Sequence, residues 1–191
     1  MRKNLKHFYC VDLEATCWET KEEQGYKPNE IIEIGICKVD LENAVIEDCL
    51  SWIVKPRLTE VSPFCTKLTT LTQDEVNQGV DIEDALFYAQ DHFKLTKADI
   101  WGSWGQYDRN KLSNTGSGSL KSIYGTEMSS IFAQMEHVNL KTVFALQTKS
   151  LQGPCGMEKA LKILNIPLTG THHRGVDDAY NIGKIALKMF R

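Results

Sequence analysis

Phe8-Tyr9-Cys10-Val11-Asp12-Leu13-Glu14 is an apolar run interrupted by two acids spaced i and i+2. Such a run reads as a buried strand, and in a strand residues two apart project from the same face. Asp12 and Glu14 therefore stand side by side. Carboxylates in an apolar strand lose hydration and repel one another, costs a protein meets where a cation restores the balance. A hard divalent ion is the obvious partner.

Working outward, Ile31-Ile32-Glu33-Ile34-Gly35-Ile36-Cys37-Lys38-Val39 and Val45 to Val54 read as further strands, with the turn-prone stretch Glu19 to Asn29 before them. A three-stranded meander is the simplest assembly. The stretch Ser62 to Gln73, rich in hydroxyl groups, reads as a loop. Ile82, Ala85, Leu86, Ala89 and Phe93 then mark an amphipathic helix behind Asp81 as N-cap. Asp99 to Trp104 reads as a short strand leading into a helix that carries Asp108 and Leu112. Residues 113–119, Ser-Asn-Thr-Gly-Ser-Gly-Ser, read as a flexible surface loop. Met128, Ile131, Phe132 and Met135 mark a helix, Asn139 caps another, and Met157, Ala160, Leu161 and Leu164 mark one more before Pro167. A last helix runs from about Asp178 to Arg191. Strands first, helices later and one returning strand predict an α/β sandwich forming a single domain over residues 1–191.

The 191 residues, 42% hydrophobic and 25% charged, suit one globular domain with a full core. The basic start Met1 to Lys6 is followed by an apolar run broken by Asp12 and Glu14, so neither an export signal nor a membrane span is expected. The six cysteines, at 10, 17, 37, 49, 65 and 155, include no Cys-x-x-Cys pair, which predicts small core residues and a reducing cytoplasm. A net charge of −3 and a pI near 6.0 speak against a long basic groove. Two divalent cations held by four acids would move the balance to about +1, which leaves room for a small, local nucleic-acid contact. Lys55, Arg57, Lys67, Arg109, Lys111, Lys141, Lys149 and Arg174 are the candidate phosphate contacts.

Phosphodiester hydrolysis asks a protein chiefly to stabilise negative charge while a water is deprotonated and aimed in line. Two divalent ions held by carboxylates from different elements, with one base, meet that need. Asp12, Glu14, Asp108 and Asp178 supply the acids. A histidine in His172-His173-Arg174-Gly175-Val176-Asp177-Asp178 supplies the base, since a neutral imidazole accepts a proton near physiological pH. Glu33 either faces solvent or stands behind the acids. Trp18, Trp101 and Trp104 either pack in the core or stack on bases.

Asp-x-Glu on an early strand, Asp108 in Trp104-Gly105-Gln106-Tyr107-Asp108, and His-x4-Asp opening the last helix together resemble the DEDDh exonucleases. Cys10 to Trp18, Glu30 to Gly35, Phe64 to Thr69, Asn139-Leu140-Lys141 and His173 to Asp178 resemble in particular the Eri-type and histone-mRNA exoribonuclease branch. The resemblance covers nearly the whole chain. It implies a ribonuclease H-like fold and 3′-to-5′ exonuclease activity with two Mg²⁺ or Mn²⁺ ions, acting on 3′ ends of single-stranded RNA or of RNA and DNA. Asp12, Glu14, Asp108 and Asp178 would be the metal ligands and His173 the general base, in preference to the His172/Asp177 register of identical spacing. Ala15, Thr16, Phe64, Leu68, Thr69, Trp104 and His173 would line the substrate. Two other classes share these acids: a metallophosphodiesterase of small nucleotides and a catalytically silent nucleic-acid-binding module. The chain departs from the branch at Leu68-Thr69-Thr70-Leu71-Thr72, where Thr70 stands in place of a glycine, and over residues 113–130, which match nothing in it.

Overall fold

The computed structural model describes residues 5–113, 118–125, 129–149 and 153–190. The three expected strands form at β1 (His7–Ala15), β2 (Ile31–Asp40) and β3 (Val45–Ile53), all antiparallel neighbours. A fourth, β4 (Ile100–Ser103), pairs parallel to β1, and β5 (Glu136–Asn139) pairs parallel to β4. The sheet is mixed and its order is β3-β2-β1-β4-β5. The expectation of a single returning strand is corrected: β5 is a second one, too short and too polar to show an alternating pattern.

Between the strands lie α1 (Lys21–Gln24), α2 (Pro63–Thr69), α3 (Gln73–Asn77), α4 (Ile82–Phe93), α5 (Tyr107–Leu112) and α6 (Leu120–Tyr124). After β5 come α7 (Leu140–Gln147), α8 (Met157–Ile163) and α9 (Gly175–Met189). The stripe of α4 is buried as expected, and α9 begins three residues earlier than Asp178. Ser62 to Gln73 is not a loop. Ser62 caps α2 by accepting from Cys65 N–H, with Pro63 at the first helical position, and Thr72 and Glu75 form a reciprocal capping box on α3. Ile131 and Phe132 lie in one turn of 3₁₀ helix, Ile131–Ala133, rather than a helix running to Met135. Met128, Arg191 and residues 114–117 of the expected flexible stretch fall outside the described residues.

The sheet separates two apolar layers. Val11, Leu13, Ile34 and Ile36 pack with Ile82, Leu86 and Phe93 of α4, while Phe8, Cys10, Cys37 and Val39 pack under Ile182, Ile185 and Ala186 of α9. Asp12 and Glu14 continue the Phe8 and Cys10 face by strand alternation, so they emerge where α9 begins. The approach there is close: a Cβ on Gly35 would lie 2.0 Å from the carbonyl carbon of Gly175. Only glycine lets the first turn of α9 sit on β2 at that point.

Cys37 and Cys49 stand directly opposite on β2 and β3, with Cα atoms 4.1 Å apart, and form a disulfide. The sequence reading of small core residues foresees no such bond; Cys10, Cys17, Cys65 and Cys155 are free. No helix among the described residues is long and apolar enough to cross a membrane.

Candidate active site

The acids expected from the sequence converge at the end of β1. Carboxylate oxygens of Asp12, Glu14 and Asp178 lie within 4.8 Å of one another. Asp12 and Glu14 come from one face of β1, and Asp178 from the first turn of α9, whose close seating on β2 brings it over the strand. Asp108 arrives differently. Strand β4 pairs with β1 only at Tyr9 and Cys10, so β1 extends past its neighbour and Leu13 N–H has no strand partner on that side. Asp108, in the first turn of α5, accepts that N–H through Oδ1 at 3.0 Å.

The electrostatics are those of an uncompensated acid cluster. Burial, followed by the charges of Asp108, Glu14 and Asp178, holds the Asp12 carboxyl well above its ordinary range. Glu14 is pushed up to about 8 by burial, then by Asp178 and Glu33. Asp108 rises to about 6 through burial, opposed by hydrogen bonds from backbone N–H groups and the Ser103 hydroxyl. Burial also raises Asp178, against the hydrogen bonds it accepts from His173 N–H and the His172 ring.

Glu33 is directly opposite Glu14 in the β1/β2 register and is fully buried, which decides between its two sequence readings. Its Oε2 accepts from Gly175 N–H and from Arg174 Nε, each at 3.0 Å. Helix α9 has no side-chain cap of its own, so a carboxylate from the sheet takes that place. Glu33 Oε1 is buried without a hydrogen-bond partner. Close carboxylates, raised proton affinities and an orphaned carboxylate oxygen all fit a site that takes divalent cations. A separate group, His7, Asp40 and Glu47, is met by Lys6 and Lys38, so its charge is already balanced by protein.

Both histidines reach Asp178. His172 Nδ1 lies 2.9 Å from Asp178 Oδ2, and His173 N–H donates to that same oxygen at 2.9 Å. Their rings stack with centroids 3.9 Å apart. His173 is left-handed at φ 67°, which turns the chain into α9. Burial and the neighbouring His172 lower the His173 imidazole, keeping it neutral and able to accept a proton. The loop before it is clipped to α9: Asn181 pairs with Thr169 through both its amide groups, and Asp177 Oδ2 accepts from Thr171 N–H.

The residues expected to line a substrate divide. Phe64 and Leu68 are half-buried at i and i+4 on one face of α2, and α2 is tied to β1 by Cys65 Sγ bonding Ala15 O. Thr16 and Thr69 are buried and serve the scaffold instead. Thr16 Oγ1 bonds Thr59 and accepts from Glu30 N–H, while Thr69 Oγ1 donates to Cys65 O. Ala15 is buried as well. Trp104 packs on Phe144 and donates its indole N–H to Cys155 O, and Trp101 is a core residue bonded to Phe132 O. Trp18 is partly buried with Lys27 over its ring. Two expected phosphate contacts are engaged elsewhere: Lys111 is buried against Asn29 O, and Arg57 pairs with Glu83. Sequence reasoning missed Tyr107, half exposed beside Asp108. Its position next to the acid was the available signal.

A mixed sheet with carboxylates gathered at one end of its central strand is an α/β fold carrying a candidate divalent-cation site. The chain matches the RNase_T exonuclease family over residues 9–186 and belongs to that family. The 3′-5′ exonuclease Snipper of Drosophila melanogaster is 27% identical over 199 residues, a match covering 95% of this chain and 68% of that protein. Human 3′-5′ exoribonuclease 1 is 27% identical over 190 residues, covering 95% of this chain and 51% of that protein. The chain thus spans about half the length of several curated relatives that it matches. Among solved structures, a 3′-exonuclease studied for 3′-end-specific recognition of the histone mRNA stem-loop superposes with TM-score 0.80 at 22% identity, covering 98% of this chain and 82% of that one. The nuclease domain of 3′hExo, a DEDDh family member bound to rAMP, gives 0.78 at 23% identity, covering 97% and 92%. The expected ribonuclease H-like fold and the resemblance to the Eri-type branch are thereby met.

Proposed function

We propose that the chain is a metal-dependent 3′-to-5′ exonuclease that removes nucleotides from single-stranded nucleic acid, RNA foremost. The observation that carries this reading is the convergence of Asp12, Glu14 and Asp178 within 4.8 Å, with Asp108 fixed to the same strand. Two divalent ions, Mg²⁺ or Mn²⁺, would be held by these four acids and would supply an activated water and charge stabilisation at the leaving oxygen. The chain's own part is to hold the four carboxylates in place, to accept the water's proton at the His173 ring, and to seat the strand's end. Phe64 and Leu68 offer apolar faces to the terminal bases, and Tyr107 offers a ring for stacking. The named relatives support RNA as substrate.

End-labelled single-stranded RNA and DNA with free or blocked 3′ ends, incubated with Mg²⁺ or Mn²⁺, test it. A one-nucleotide ladder growing from the free 3′ end is expected, faster on RNA. Cleavage confined to mono- or dinucleotides would replace this reading with a small-nucleotide phosphodiesterase. Binding without cleavage under either metal would replace it with a silent binding module.

A further inference from the structure

A site lined by acids repels a polyanion, so a cation held beside it bears on binding. Lys111 is tied to Asn29 and Arg57 to Glu83. Arg174 is placed differently. It directly follows His173 as the N-cap residue of α9, and its side chain is 28% exposed. Its Nε donates to Glu33 Oε2, and among the described residues neither terminal guanidinium nitrogen has a hydrogen-bond partner. The Glu75 carboxyl on α3 is held below its ordinary range mainly by Thr72 and in smaller part by the Arg174 charge. The guanidinium therefore sits against β2, where Glu33 holds it, one residue along the chain from His173.

A guanidinium is a rigid planar fork. Anchored through Nε, it presents its two outer nitrogens together, the arrangement that grips an oxyanion at two points. The anchor itself is fixed, because Glu33 is buried and also bound to Gly175 N–H. Little side-chain freedom remains to be lost on binding.

We infer that Arg174 contacts a phosphodiester of the bound strand through the outer edge of its guanidinium, with Glu33 as the positioning residue that holds Nε. This rests on the nucleic-acid reading of the same site. Glu33 has no contact with substrate in this scheme and serves it by positioning Arg174 and the start of α9.

The test compares Arg174→Gln, Arg174→Lys and wild type on single-stranded RNA with a free 3′ end, with Mn²⁺, over a range of KCl. Arg174→Gln is expected to raise KM about tenfold with a much smaller fall in kcat, and to reduce the log–log salt dependence by about 0.7, one phosphate contact to a single strand. Its metal-induced thermal shift reads the effect of the unpaired Glu33 charge on the metal site separately from the loss of RNA contact. Arg174→Lys should restore the salt dependence but only part of KM, a point charge replacing a fork. Fluorescence anisotropy of the same RNA with Ca²⁺ reads the contact independently of cleavage, so it decides this inference even if wild type yields no ladder. Wild-type affinity and salt slope in Arg174→Gln would overturn it. Should that variant fail to fold, unchanged KM and affinity in Arg174→Lys would do the same.

Discussion

Leu13 N–H donates to Asp108 Oδ1 at 3.0 Å, so the strand that carries two of the acids also fixes a third. Asp108→Asn keeps an acceptor for Leu13 and removes the charge. We expect it to fold with near-wild-type stability and to lose at least about a hundredfold in turnover. Asp108→Ala should lose similar activity and in addition about 1–3 kcal/mol of stability, because a buried N–H is left without a partner. Urea titrations and ladder assays on both variants check this; equal stabilities would mean that the hydrogen bond is not formed.

The acid cluster makes stability depend on pH and metal together. The folded-state affinity of Glu14 for a proton is raised from 4.5 to about 8, so its stabilising contribution is complete below 4.5 and is lost as pH rises through about 8. Asp12 and Asp178 shift in the same direction. His137 works the other way: burial lowers it from 6.5 to about 4, so its contribution is lost as pH falls below 6.5. In EDTA the melting temperature should therefore fall between about pH 6.5 and pH 8, above which Lys111, lowered from 10.5 to about 8 by burial, works in the opposite direction. Mn²⁺ or Mg²⁺ at a hundredfold excess over Kd should add about 2.7 kcal/mol, with the largest gain at the alkaline end. Thermal scans that ignore both pH and metal would count against the cluster.

Much of this architecture was legible in the residues, and what was not has physical causes. The acids of β1 could be read because alternation in an apolar strand fixes their face, and the stripe of α4 because its period is unbroken. β5 was missed because Glu136-His137-Val138-Asn139 is too short and polar to alternate. α2 was read as a loop because four hydroxyl residues between Ser62 and Thr70 masked the Ser-Pro start that makes it a helix. The Cys37–Cys49 bond depends on the β2/β3 register, and the Asp108 bond on where β4 stops. Neither is local information.

Thr70 stands where the sequence resemblance to the Eri-type branch leads to the expectation of a glycine. It closes α2 in the left-handed conformation, at φ 65°, and is exposed. A β-branched residue there is strained by about 1–2 kcal/mol, which glycine avoids, although glycine gives back part in unfolded-state entropy. Thr70→Gly should raise stability by about 0.5–1 kcal/mol. A lower denaturation midpoint would show that the Thr70 hydroxyl or methyl is needed.

Phe64→Ala and Leu68→Ala probe the half-buried face of α2 that the proposed function assigns to the terminal bases. Both side chains are half-buried, so neither truncation should carry the 2–5 kcal/mol cost of a full core deletion. We expect several-fold weaker oligonucleotide binding and slower processing with an unchanged metal-induced thermal shift. Unaltered kinetics in both would leave α2 with a purely structural part.

The histidine pair gives the most discriminating measurement. His172 spends Nδ1 on Asp178, whereas His173 gives that carboxylate only its backbone N–H and keeps its ring for other work. The His173 imidazole is held neutral by burial, as a proton acceptor must be. Its loop is clipped to α9 by Asn181 and Asp177, which fixes the backbone that carries the ring. His173→Ala should therefore lose at least about a hundredfold in kcat while keeping its metal-induced thermal shift, since the base is lost and the carboxylates remain. His172→Ala should keep most of its activity. The reverse order of the two variants would move the general base by one residue, to the register of His172 and Asp177.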